Sequence, residues 1–257
     1  MKVEKYFGDE RLRHRVVYSK SSYTECIYCG KESDTREHIP SKVFLNRPFP
    51  ENLSTVSACL TCNNSYSSDE VLLALLIQLL KQKHYGSEYT FSEEVNSRME
   101  NVRNVKLVSK IKQVIEADNV KGKFHDSILR VLIKLAIGHS VWDISEGYYI
   151  DEDGITTDSA KVEYSFINDM TDEEINEFLS PFDITNEPLP ELGSRVYEGR
   201  LLVLERDGEE PRLLLDWATV QPYEYNYTCY QFGDEIVVKM VINSFLFAEV
   251  TLCESHS

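Results

Sequence analysis

Apolar positions along this chain recur first with no clear period, then with a helical one, then with a strand-like one. Residues 1–22 are polar, and Arg11, Arg13, His14 and Arg15 group there as a solvated lead-in or a phosphate-contacting arm. Residues 23–66 are rich in Cys, Pro, Asn and Ser, as expected of a small module organised by something other than an apolar core. The character then changes abruptly. Ser67 as a cap, with Asp69 and Glu70 in the first turn, opens a strongly apolar helix over 71–83. Val95, Met99, Val102, Val105, Val108, Ile111 and Ile115 recur at helical spacing and predict a second helix over about 92–117. A third is predicted from about Phe124 to Trp142, with Ile128, Leu129, Leu132, Leu135 and Ala136 on its inner face.

From Gly147 the pattern is that of strands. Tyr148 to Ile150 and Ile155 flank an acidic, glycine-containing turn, which is a hairpin signal. Val162 to Ile167 reads as a strand and Thr171 to Leu179 as a short capped helix. Arg200 to Leu204 and Arg212 to Asp216 bracket a turn at Asp207 and Gly208. Tyr223 to Phe232 and Ile236 to Leu252 form a final pair around Gly233 and Asp234. There is no internal repeat. This order predicts an α+β fold: a metal-organised module over 1–85, a helical region over 86–146, and an acidic, C-terminal, mostly antiparallel β-sheet region over 147–257.

Composition agrees with a globular chain. Of 257 residues, 42% are hydrophobic and 27% charged, with 11 Gly and 8 Pro, which excludes collagen-like and disordered classes. The longest apolar run, Val71 to Leu80, is broken by Gln78 and falls short of the roughly 20 residues a bilayer span needs. The first residues carry no apolar signal-peptide core. The expectation is a soluble, cytoplasmic protein without a membrane partner. Charge is split unevenly: residues 1–140 hold 21 Lys/Arg and 17 Asp/Glu, net +4, while 141–257 hold 6 and 26, net −20. The acidic half serves solubility, or contacts a protein partner or a second copy of the chain.

Four of the six cysteines form two C-x-x-C pairs, Cys26 with Cys29 and Cys59 with Cys62; Cys229 and Cys253 read as small buried hydrophobes. Two such knuckles suit tetrahedral zinc, each donating two thiolates from one tight turn. The 29 residues between Cys29 and Cys59 exceed a simple zinc ribbon and hold Glu37, His38 and Asn52. His84, His125, His139 and His256 lack a partner pattern and read as structural or exposed. The alternating Tyr223, Tyr225 and Tyr227, with Tyr230, read as half-buried sheet rather than as a base-stacking platform.

The order C-x-x-C, Glu-His, Asn, C-x-x-C-Asn resembles the zinc-stabilised branch of the HNH endonucleases, the ββα-metal nucleases, over roughly residues 24–85. The resemblance implies a hairpin followed by a helix, and metal-dependent hydrolysis of nucleic acid, DNA before RNA. It assigns Cys26, Cys29, Cys59 and Cys62 to structural Zn²⁺ and His38 to the general base. Glu37 and Asn63 (with Asn64 as an alternative) become ligands of a catalytic Mg²⁺ or Mn²⁺, and Asn52 braces the loop and orients the histidine. Restriction, defence and mobile-element proteins are the settings it implies. Arg36, Lys42 and Arg47 are the nearest candidates for phosphate contact, since the family's lysine after the last Cys-Asn is absent here. The chemistry is coherent, because an imidazole activates water near neutrality and oxygen donors suit a hard cation. One tension is built in: adjacent residues of a strand point to opposite faces, so Glu37 and His38 cannot both aim at one atom without a twist. The competing expectation is a zinc-organised interaction protein without catalysis.

Overall fold

A computed structural model describes residues 25–144, 160–186, 200–205, 208, 210–232 and 235–253, side chains of 232 and 253 excepted. The expectations for the basic cluster at 11–15, the hairpin at 148–155, Asp207, the turn at 233–234, the Cys253 side chain and His256 lie outside what is described. Within them the fold is α+β, with a mostly antiparallel C-terminal sheet. No helix among the described residues is long and apolar enough to cross a membrane.

The N-terminal part is a two-stranded antiparallel hairpin, β1 (Thr35–Ile39) and β2 (Ser54–Ala58), running into α1 (Leu60–Ser65). The helical part comprises α2 (Ser67–Tyr85), α3 (Glu93–Glu100), α4 (Val105–Glu116) and α5 (Val120–Asp143). Next come β3 (Ala160–Phe166), α6 (Asp172–Leu179), β4 (Phe182–Asp183), β5 (Leu201–Leu204), β6 (Arg212–Leu215), β7 (Ala218–Gln221), β8 (Tyr225–Phe232), β9 (Glu235–Ile242) and β10 (Leu246–Cys253). One antiparallel sheet has the order β3-β10-β9-β8-β7, and a smaller one the order β4-β6-β5.

Every residue of α2 from Leu72 to Leu80 is buried, as a helix apolar on all sides requires. Each of its leucines contributes roughly 1.5–3 kcal/mol by leaving water. The cap differs from expectation. Ser67 is already helical, Tyr66 occupies the N-cap without a side-chain hydrogen bond, and only the first-turn acids Asp69 and Glu70 stand where predicted.

The single helix expected over 92–117 is two helices. Asn101 and Asn104 divert the backbone: Asn101 Oδ1 accepts from Arg103 N at 3.0 Å, and Asn104 Nδ2 donates to the Arg98 carbonyl at 2.9 Å. Such local bonds compete with the helix ladder. Val102, placed on the inner face by periodicity, is consequently 89% exposed. Similarly, Ile236 to Leu252 is not one strand. Asn243 and Ser244, with φ of 51° and 50°, make the turn between β9 and β10, matching the φ signs of a type I′ hairpin. The short helix at Thr171 is as read, with a full capping box between Thr171 and Glu174.

One hydrophobic cluster runs through all these parts. It joins Ile39 and Val56 of the hairpin, the α2 leucines, Ile111 and Ile115 of α4, Phe124 to Ile137 of α5, and the inner sheet residues Tyr227, Val238, Met240, Leu246 and Val250. The outer face of the sheet carries a smaller cluster of Ile184, Leu215, Tyr230 and Val237 beneath β4-β6-β5.

The hairpin meets α5 at Gly138, where an added Cβ would lie 2.3 Å from Ile39 Cδ1 and 2.7 Å from Cγ1. Gly138→Ala is therefore expected to cost about 1–3 kcal/mol in urea denaturation. Combining it with Ile39→Val, which removes Cδ1, is expected to be less destabilising than the sum of the two changes.

Candidate functional site

The site starts from two tight turns. In the first, Gly30 N donates to the Cys26 carbonyl at 2.9 Å, with Gly30 at a φ of 68° that favours glycine. Cys26 N donates to the Lys31 carbonyl at 2.7 Å, and Ile27 N donates to Ser57 of β2 at 3.0 Å, which fixes this turn against the hairpin. In the second, Cys59 caps α1, its Sγ accepting from Cys62 N at 3.4 Å, while Asp34 Oδ1 accepts from Leu60 N at 2.7 Å. The result is convergence: the sulfurs of Cys26, Cys29, Cys59 and Cys62 all lie within 4.8 Å of one another. Cys29 and Cys59 Sγ are 3.7 Å apart. A tetrahedron with Zn–S bonds of about 2.3 Å has sulfurs about 3.8 Å apart, so the donor set fits zinc. Among the described residues this is the one group of three or more His, Cys, Asp or Glu side chains able to share an ion.

The cysteine cluster brackets the hairpin, and the hairpin's register sorts the remaining candidates. Glu37 pairs with Val56 and His38 with Thr55, so Thr35, Glu37 and Ile39 share one face and Arg36 and His38 the other. The Ile39 face packs on α5. There Glu37 is buried, and its Oε1 accepts from Lys134 Nζ at 2.7 Å. Lys134, wholly buried on α5, also donates to Ser41 Oγ at 2.9 Å and to Glu70 Oε1. Ser41 Oγ stands 2.5 Å from Glu70 Oε1 and 3.2 Å from Glu37 Oε1, its single proton best placed for Glu70. A buried ammonium needs such partners.

Glu37, expected as a ligand of the catalytic cation, has its carboxylate paired with the Lys134 ammonium, on the face away from His38. Asn63 Nδ2 donates to Thr35 Oγ1 at 3.1 Å, and Thr35 Oγ1 donates to the Ala58 carbonyl at 2.8 Å, a tie between α1 and the hairpin. Asn64 is exposed. Glu37 Oε1 is thus held by Lys134, and the Asn63 side chain is tied to the hairpin through its Nδ2. Asn52 lies half-buried in the turn that enters β2, just upstream of Thr55.

On the other face His38 is half-buried, and its pKa lies below the usual 6.5, first because burial disfavours the imidazolium and second because the Lys42 ammonium opposes it. The ring is therefore neutral at pH 7. Lys42 Nζ is 5.4 Å from the Phe49 ring centroid and the Arg47 guanidinium 4.9 Å from the same ring, so one aromatic side chain carries two exposed cations. Arg36 is exposed on His38's face of β1.

Residues far away in sequence hold this loop. Asn46 N donates to Gln221 Oε1 at 2.8 Å, Asn46 Nδ2 to Glu224 Oε1 at 2.7 Å, Asn243 Nδ2 to the Phe44 carbonyl at 3.2 Å, and Arg98 Nη1 to the Val43 carbonyl at 2.9 Å. Sequence reasoning missed them and Lys134. A lone lysine within the apolar stretch from Val131 to Ile137 was the available signal for Lys134; Gln221, Glu224 and Asn243 offered none.

Compared with protein-family models, curated proteins and solved structures, the chain matches none.

Two outcomes follow from the geometry. Cys62→Ser, or a strong chelator, is expected to remove one bound zinc per chain by elemental analysis and to lower the melting temperature, because each knuckle closes only through the other. Lys134→Ala is expected to cost about 3–5 kcal/mol in chemical denaturation, because two buried carboxylates lose their cation.

Proposed function

We propose that this chain hydrolyses phosphodiester bonds of nucleic acid, with His38 as the general base. The reading rests on the resemblance of residues 24–85 to the HNH endonucleases. What supports it most directly is the neutral imidazole of His38, outward on a hairpin bracketed by four converging cysteines and close to the Lys42 cation, which shares the Phe49 ring with Arg47.

In this reading, water attacks the phosphorus as His38 takes its proton, the P–O bond to the leaving oxygen breaks, and that oxygen takes up a proton from solvent. Lys42 and Arg47 face the charge that gathers on the non-bridging oxygens. Arg36 extends the contact along the strand, and Asn52 braces the turn opposite. No step is routed through Glu37, which Lys134 already holds. The substrate is DNA before RNA, and the acidic C-terminal half is the surface for a protein partner or a second copy.

One observation favours a second reading, a zinc-organised module that binds without cleaving: the Glu37 carboxylate is already taken up by the Lys134 ammonium.

The deciding assay incubates zinc-loaded protein with plasmid, single-stranded DNA and RNA, in Mg²⁺, Mn²⁺ or EDTA, beside His38→Ala. The hydrolase reading expects His38→Ala to lose roughly 10²–10⁴ of the rate with zinc content and fold unchanged. Since the base works unprotonated and its pKa is lowered, the rate is expected to be flat through pH 7 and to fall only as pH drops below about 6.5. Retained nucleic-acid binding with no cleavage by the wild type under any condition would establish the second reading instead.

A further inference from the structure

The inner face of β1 carries a cluster that neither the zinc site nor the proposed hydrolysis uses. Glu37 from β1, Ser41 from the segment after it and Glu70 from the first turn of α2 place three oxygens around one point, and the Lys134 ammonium of α5 sits on that point. The four side chains come from separate segments, and each is at least nine-tenths buried.

Charge is not balanced by this arrangement. One ammonium meets two carboxylates, leaving one excess negative charge; a divalent ion in place of the ammonium would balance both carboxylates. The fully buried Tyr28 hydroxyl, which has no hydrogen-bond partner among the described residues, feels the charges of Glu37 and Glu70 and adds a further oxygen near the cluster. Its ring stacks obliquely on Tyr66 at 5.8 Å, and Lys134 Nζ lies 5.8 Å from that same Tyr66 ring. Burial first, and then the negative charge of Glu37, holds the Tyr28 hydroxyl in its protonated form. Carboxylates and hydroxyls are the donors that hard cations select.

We propose that Glu37, Glu70 and Ser41 form a hard-cation site whose native occupant is the tethered ammonium of Lys134. The chain thereby carries its own cation at Glu37, one of the two residues to which the HNH resemblance assigns a dissociable metal. Lys134 is a positioning residue: it neutralises Glu37, draws β1 onto α5, and so turns His38 outward. The geometry also implies that a divalent ion enters once the ammonium is removed.

The test uses the full-length, zinc-loaded chain, with Mn²⁺ alone as probe, and reads ion uptake by electron paramagnetic resonance together with thermal melting. None of these readouts involves cleavage, so the hydrolase reading stands or falls separately. Wild type is expected to take up no Mn²⁺ at this site and to melt unchanged in its presence. Lys134→Met is expected to melt lower, to bind one Mn²⁺, and to recover roughly 5–10 °C when Mn²⁺ is near 100 times its Kd. Adding Glu70→Gln is expected to abolish that uptake.

A folded Lys134→Met chain that takes up no Mn²⁺ would overturn the proposal. So would a Lys134→Met chain that stays unfolded even in Mn²⁺, because a filled site should replace the lost cation. Wild type and Glu37→Gln supply the second measurement. An equal lack of response to Mn²⁺ supports the tethered ammonium, whereas Mn²⁺ uptake by wild type that Glu37→Gln removes shows Glu37 to be a metal ligand and sinks it.

Discussion

The two-residue period of a single short strand governs the candidate site. On β1, alternation sends Thr35, Glu37 and Ile39 inward and Arg36 and His38 outward, and the antiparallel register with β2 leaves no freedom to choose otherwise. The inward set is then claimed by the interior: Ile39 against Gly138, Glu37 by Lys134, Thr35 by Asn63. What remains for chemistry is the outward set. A slip of one residue would exchange the two, burying an imidazole among leucines and exposing the counter-ion of a buried lysine. The core and the ion cluster therefore enforce the same register from different physical causes.

Those causes have different tolerances. Apolar contacts between the hairpin and α5 are non-directional and survive small shifts in position. An ammonium buried with two carboxylates is far less forgiving, because desolvation penalises every charge that loses its partner. The cysteine cluster adds a third constraint at the far end of the hairpin, closing only when both knuckles are in place. A hairpin of two five-residue strands is marginal alone. Held at one end by the cysteines, at its inner face by Lys134 and along its length by α5, it is not alone.

Local chemistry was legible in the sequence and long-range partnership was not. Two C-x-x-C pairs declare a metal cluster because each pair's geometry is set within four residues. The capping box at Thr171 is equally local, and so is the apolar run of α2. The break between α3 and α4 was hidden because apolar spacing continues across Asn101 to Asn104, while the side-chain bonds that end the first helix depend on two asparagines whose competition periodicity ignores. The Asn243 turn was masked by the apolar residues on both sides of it. For the site, the opposition of Glu37 and His38 followed from strand geometry alone, yet nothing near Glu37 in sequence named its partner. Lys134 lies almost a hundred residues on, at |i−j| of 97, within an apolar helix. Only the packing of α5 against β1 brings the two together.

The same reasoning changes how the acidic C-terminal half is understood. Its charge sets it apart from the mildly basic front half. Its inner strands instead share one core with the hairpin, and the turn from β7 to β8, with Asn243, binds the loop that carries Arg47. Glu224 is part of this tie. Burial raises its pKa, while the Lys81 ammonium and its hydrogen bonds from Asn243 and Asn46 act in the opposite direction. Acidic residues on this half thus do two distinct jobs: those on the surface set a repulsive field towards polyanions, while Glu224 helps hold the basic loop beside His38. The cysteine-bracketed module and the sheet are consequently one mechanical unit, in which the presentation of the outward face of β1 depends on contacts made by residues some 175 positions further along the chain.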